Sequence, residues 1–289
     1  MGLLHRHKWL VPYFLLLPGL AWLALFFLVP LGYLGHQSLE TQNPIDLSYA
    51  FKWAWSNYRE AITGFDPQLF RSLEYGAIAT VIALLVSYPL AYWIAFRGGR
   101  WKNVLLLFIV GPFFVTYLIR TLAWETILAD DGPVVHGLRY LHLLSIFGSN
   151  DRLLATPTAV VAGITYNFLP FMALPLYVSL EQIDGRLIEA AQDLYASRVK
   201  AFWRVTLPLS MPGMVAGTLL TFIPAVGDFI NAQLLGRPGQ YMIGNVINSR
   251  FNELQDYGAA AAMSFVLMAA ILIMIGVYAR AIGTEKLTG

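Results

Sequence analysis

The chain has 289 residues, 57% of them hydrophobic and only 12% charged, with a mean hydropathy of +0.60. A soluble domain carries about 25% charged residues, and a globule of roughly 300 residues still leaves about a quarter of its surface wet. The composition therefore excludes an ordinary soluble protein, the net charge of +2 argues against nucleic acid as a partner, and the absence of cysteine excludes disulfides.

Arg6 and Lys8 precede an apolar run that stays uncharged from Trp9 to Leu39. The apolar core of a signal peptide ends after about 7–15 residues, before a small-residue cleavage site. This run is longer and lacks such a site, so it reads as an uncleaved first span over residues 10–34. A span needs about 20 mostly apolar residues, rising ~1.5 Å each through ~30 Å of hydrocarbon. Residues 73–96, 103–127, 154–180, 206–233 and 257–280 also qualify, giving six transmembrane helices and an all-α membrane fold in one domain. Arg120 and Glu125 interrupt the third, but it starts apolar at Val104 and the topology closes only with it.

Lys and Arg set the orientation. With the N-terminus inside, eleven of them face the cytoplasm and seven the other side, with Arg120 in a span. The loop from Arg97 to Lys102 alone holds three. Both termini are expected to be cytoplasmic. Loops of about 36–72, 129–153 and 234–256 then face outward, and the first carries Trp53, Trp55 and Tyr58 as interfacial belt residues or as contacts for a partner.

The cytoplasmic stretch after Glu181 is too long for a plain connector. Asp184 is a plausible cap for a helix beginning near Arg186, with Leu187, Ala191 and Leu194 as one apolar stripe. A second amphipathic turn, Arg198–Arg204, sets Phe202 and Trp203 beside three positive charges, and Pro208 and Pro212 mark entry into the fifth span. On physical grounds this stretch is either an interfacial helix on the headgroups or a docking helix for a cytoplasmic partner.

Glu189, Ala190 and Ala191, followed at the right distance by Leu207 and Pro208, resemble the EAA loop of ABC-importer permeases. In that family the loop is a coupling helix that sits in a cleft of the ATP-hydrolysing subunit. The resemblance assigns ATPase coupling to Glu189, Ala190, Ala191, Asp193, Leu194, Tyr195, Leu207 and Pro208. Tyr195 stands where the family has glycine. If that position closes the helix in left-handed geometry, tyrosine costs about 1–2 kcal/mol there, so either the helix runs on or the ring makes a compensating contact.

The resemblance covers nearly the whole chain. The segments from Thr116 to Arg120, Leu169 to Tyr177, Ile223 to Phe229 and Met242 to Val246 look like the first permease of spermidine/putrescine importers. It implies a type I importer permease in the bacterial inner membrane. The implied partners are two copies of an ATP-binding subunit, a second homologous permease and an extracytoplasmic binding protein, with polyamines as cargo. No cofactor is expected on this chain, since ATP and magnesium belong to the ATPase. Consistent with that, the sequence has no G-x-x-x-x-G-K-[ST], and it also lacks HExxH, G-x-S-x-G and paired metal-ligand spacing of its histidines.

Charge within a bilayer is expensive and informative. Along straight helices Arg120 lies about 26 Å, and Glu125 and Asp228 about 33 Å, from the inner boundary. They either snorkel and pair there, or Glu125 and Asp228 line the outer mouth and attract a cation while Arg120 holds Glu125 or stacks on Trp124. Tyr166 and Asn167 fall near mid-membrane, where a ring face and an amide suit an alkylammonium group or serve as packing. Pro170 and Pro175 favour a kink in that span. The rival readings are an ABC permease for ferric iron, an oxyanion or an amino acid, a secondary transporter (for which inverted repeats are lacking), and, weakest, a membrane-embedded enzyme.

Overall fold

The structure is a computed structural model that describes residues 11–43 and 48–282, with side chains from Leu15 to Arg280. The charged termini used for orientation (Arg6, Lys8 and Lys286) and the start of the first span lie outside the described residues. The described residues pack as two compact units, those up to 64 with 249–266, and 65–248 with those from 267.

In the first unit, α1 (Val11–Leu23) and α2 (Val29–Gln37) join through a π-helical turn at Ala24–Leu28. Leu15–Gln37 is apolar and long enough to cross a membrane, and Leu20, Trp22, Phe26 and Phe27 are all more than half exposed, as on a helix solvated by lipid. The loop that follows adds a small hairpin to the otherwise helical fold: β1 (Glu40–Gln42) pairs antiparallel with β2 (Tyr49–Phe51), in the register Glu40↔Phe51 to Gln42↔Tyr49. Helix α3 (Trp55–Thr63) is held to it by Asn57 Nδ2, which donates to the carbonyls of Ser38 and Glu40. Arg250 bridges Glu60 (2.7 Å) and Asp256 (2.9 Å). Of the three aromatic residues singled out in this loop, Tyr58 bonds Ser38 at 2.7 Å, whereas Trp53 and Trp55 stand exposed.

The second unit is a helical bundle. Helix α4 (Asp66–Arg97) and, after a tight turn, α5 (Lys102–Val110) lead into a single 3-10 turn at Gly111–Phe114. There the expected third span breaks. Val115 and Thr116 are extended, and α6 (Tyr117–Leu128) leaves at 97°. Pro112 supplies no amide to continue α5, and the chain tightens into the 3-10 turn before the corner; hydropathy, which carries no direction, reads through it. Short helices α7 (Pro133–Tyr140) and α8 (Leu144–Phe147) follow.

Helix α9 (Pro157–Glu181) is the central element, capped by Thr156 and continuous through Pro170 and Pro175. Two short helices, α10 (Gly185–Asp193) and α11 (Arg198–Ala201), precede a π turn at Phe202–Thr206, α12 (Leu207–Leu209) and α13 (Met211–Val226). The fifth segment therefore bends by 60° at Ser210 and stops at Val226, short of the expected 233. After Gly227–Phe229 come α14 (Ile230–Leu235), α15 (Ile243–Asn252) and α16 (Tyr257–Ile282). The straight-helix depths of Arg120 and Asp228 do not apply, because one lies beyond a corner and the other beyond a helix end.

Among the described residues four helices can cross a membrane by length and composition, or up to six if each bent pair is one span. Helices α4, α9 and α13 form the core, whose two apolar clusters centre on Ile164 and Val160, and on Met172 and Leu176. Gly213 lets α13 approach α9 closely, since a Cβ there would meet the Pro175 carbonyl oxygen at 2.5 Å.

Candidate functional site

Two regions hold the residues singled out from the sequence. The first is the segment after α9. Asp184 caps α10, its carboxylate accepting the amide of Arg186 at 2.9 Å. Glu189, Ala190 and Asp193 are exposed and Ala191 is half-buried. The helix ends at Asp193, so Leu194 lies one residue beyond it, 82% exposed, rather than completing the stripe. Tyr195 then adopts φ +61°. Its amide donates to Gln192 O (2.9 Å), and that of Ala196 donates to Ala191 O (3.1 Å), the paired bonds of a left-handed helix closure. Tyrosine thus occupies the geometry that glycine suits, and its ring is 98% exposed, with no compensating contact among the described residues.

Ser197 caps α11, and the π turn then brings Phe202 edge-on against Tyr88 (5.7 Å) and Tyr92 (6.0 Å) of α4. The Tyr88 hydroxyl also bonds Ser210 Oγ at 2.8 Å. Leu207 is half-buried and Pro208 exposed within this stretch. The exposed helix is therefore fastened through Phe202 and Ser210 to one face of a membrane-length helix.

The second region is a buried polar network between α6, α9 and α14. Asp228, 7% exposed, accepts the Asn231 amide on Oδ1 (2.8 Å). Its Oδ2 accepts the Tyr117 hydroxyl and Asn231 Nδ2 (2.9 Å). Asn231 Nδ2 also donates to the Tyr117 hydroxyl at 2.5 Å. Asn167 Nδ2 donates to Asn231 Oδ1 (3.2 Å) and Thr121 Oγ1 (3.3 Å). Gly163 makes room, because a Cβ there would meet Asn231 Oδ1 at 2.6 Å. Asp228 and Asn167, chosen from the sequence for separate reasons, are thus joined through Asn231.

Arg120 and Glu125 do not pair. Five residues apart on α6 they point about 140° apart, and among the described residues Glu125, half-buried, makes no hydrogen bond or ion pair. Arg120 does not stack on Trp124 either. It is 8% exposed, with its guanidinium carbon 4.7 Å from the Phe113 ring centre and 5.6 Å from that of Tyr117. Trp124 packs instead on Tyr166 (5.3 Å). Tyr166 lines a hollow of about 310 Å³ with Phe108, Pro112 and Leu169. Sequence reasoning missed Phe113, Tyr117, Thr121 and Asn231 as members of the site. Only Tyr117, inside the segment quoted for its resemblance, carried a signal.

Residues 87–281 match the family described as "Binding-protein-dependent transport system inner membrane component". The chain is 37% identical over 275 residues to the spermidine/putrescine transport system permease protein PotB of Haemophilus influenzae, covering 95% of this chain and 90% of the other. It is 35% identical over 265 residues to the protein of that name in Escherichia coli K12, covering 90% and 94%. The inner membrane ABC transporter permease protein YdcU of the same organism is 30% identical over 276 residues, covering 91% and 86%. Among solved structures, a chain of a bacterial ABC transporter involved in the import of alginate superposes with a TM-score of 0.68 at 20% identity, covering 99% of this chain and 98% of the other. That likeness carries the fold of an ABC-importer permease. The chain belongs to the family of binding-protein-dependent transport system inner membrane components.

Proposed function

We propose that the chain is one of two permease subunits of an ATP-driven importer of polyamines. The observation that carries this reading is its 35–37% identity, over at least nine-tenths of both sequences, to permeases named for spermidine and putrescine. In this reading the termini and α10 are cytoplasmic. Glu189, Ala190, Ala191, Asp193, Leu194 and Tyr195 meet one of two copies of an ATP-binding subunit, which alone handles ATP and its magnesium. Leu207 and Pro208 set the entry of the following helix. A homologous permease supplies the other half of the pathway, and an extracytoplasmic binding protein delivers the cargo.

The route from motor to membrane runs through Phe202, because its contacts with Tyr88 and Tyr92 couple any displacement of α10 and α11 to α4. On the cargo side, Glu125 supports cation attraction because its carboxylate is not engaged by any described residue. The Trp124 and Tyr166 rings, 5.3 Å apart, offer faces to an alkylammonium group. Asp228 shapes the pathway wall, since both its oxygens already accept hydrogen bonds.

Purifying the complex from its native membrane tests the proposal. A co-purifying ATPase and binding protein are expected, the latter binding spermidine or putrescine in calorimetric titration. A binding protein that instead takes an anion or ferric iron overturns the polyamine assignment, and the absence of any ATPase overturns the importer.

A further inference from the structure

We infer that Arg120 takes a carboxylate presented by the second permease subunit, at the corner between α5 and α6. This rests on the reading of the chain as one of two permeases. A guanidinium in a low-dielectric setting needs an anion or a full set of acceptors, because removing it from water is otherwise too costly. Arg120 has neither. It is only 8% exposed, and among the described residues its Nε and Nη1 find no hydrogen-bond partner. Phe113 and Tyr117 satisfy only the faces of the guanidinium. Its N–H donors lie in the plane of the group, where ring faces give them nothing.

Among the described residues no carboxylate serves. Asp228 is committed to Tyr117 and Asn231, and Glu125 points to the other side of α6. The missing acceptor comes from outside, and a route exists. The lid over Arg120 is the Phe113 ring, 36% exposed, packed 5.2 Å from Phe171, which is 37% exposed. Phe171 in turn lines an open apolar groove of about 480 Å³ along α9 and α13. Around the corner, Phe114, Leu118, Ile119 and Leu122 are exposed apolar surface. A helix seated on this surface and carrying one Asp or Glu would cover the apolar residues and place two oxygens against two parallel N–H groups, the bidentate match that a guanidinium favours. A lipid phosphate matches the charge but is a mobile, unspecific acceptor, whereas a carboxylate on a packed helix is fixed against the planar donors; the lipid is an outcome of the test.

The test uses the complete importer, co-expressed and captured through a tag on this chain, with membrane levels of the chain measured in parallel. Arg120→Met is expected to weaken retention of the second permease by at least about a hundredfold, as one partner of a buried pair is lost, and Arg120→Lys by less. Neutralising one intramembrane Asp or Glu of the second permease should reproduce the loss, and should add nothing in the Arg120→Met background. Should Arg120→Met destabilise the chain itself, Arg120→Lys and the partner-side substitutions still decide. Full retention of the methionine variant overturns the inference, as does the absence of any coupled carboxylate. So does a retention that instead follows phosphatidylglycerol over phosphatidylcholine nanodiscs, which assigns the site to a lipid phosphate. If the wild-type chain retains no second permease, it is the importer reading that fails.

Discussion

Replacing Tyr195 by glycine removes a side chain from a backbone conformation that disfavours one. At φ +61° the Cβ crowds the carbonyl that follows, at a cost of about 1–2 kcal/mol. With the ring 98% exposed, no packing inside the chain offsets that cost. Glycine also gives the opened segment more freedom, worth about 0.5–1 kcal/mol against the variant. The balance leaves Tyr195→Gly with a local gain of about 0–1.5 kcal/mol, centred on about 0.75, a roughly three- to fourfold rarer opening of the helix closure at that centre. Hydrogen exchange at the Ala196 amide, which bonds the Ala191 carbonyl at 3.1 Å, reads that opening directly. Exchange at Ala196 that is unchanged or faster in the glycine variant refutes the reasoning. In the assembled importer the effect on function has the opposite sign. If the strained ring is held out to meet the ATPase, the glycine variant hydrolyses ATP with weaker stimulation by the loaded binding protein, although its own helix end is firmer.

The other predictions concern the buried network and the link to α4. Asn231→Ala leaves Asp228 and Asn167 short of partners; a loss of about 2–3 kcal/mol is expected, seen as a thermal midpoint several degrees lower in detergent. Glu125→Gln and Asp228→Asn should separate: the first raises the KM for spermidine uptake without moving the midpoint, while the second lowers the midpoint. Equal behaviour of the two removes the distinction drawn between them. Gly163→Val drives a side chain into Leu235 and Asn231, so α14 should detach from α9 and the midpoint should fall further than with Asn231→Ala. Phe202→Ala removes the ring wedged against Tyr88 and Tyr92. Basal ATP hydrolysis should persist while spermidine moved per ATP falls several-fold, and an unchanged ratio in vesicles excludes Phe202 from the relay.

Straight apolar stretches were legible because period and length alone define them: helices Asp66–Arg97 and Tyr257–Ile282 enclose the segments read as spans 73–96 and 257–280, and Pro157–Glu181 covers all but the first three residues of 154–180. The Asp184 cap was legible for a similar reason, since its partner Arg186 is two residues away. Hydropathy carries no direction, so the corner at Val115–Thr116 was invisible to it. Arg120 and Glu125 were linked by nearness in sequence, yet five residues is the wrong fraction of a helical turn for contact. Tyr117 and Asn231 are 114 positions apart, and nothing in one sequence marks that they meet. Tyr195 shows a different limit: the left-handed closure was anticipated for glycine, and the backbone keeps it with tyrosine because its two closing hydrogen bonds outweigh the local strain.

In the proposed importer, nucleotide hydrolysis in a partner, transmitted through α10, drives polyamine inward through this chain. Uptake of radiolabelled spermidine by proteoliposomes holding the complete complex measures it directly. Uptake is expected to require both ATP on the ATPase side and the loaded binding protein, and to fail when α10 is deleted. Uptake that proceeds without ATP and follows an ion gradient instead would contradict it.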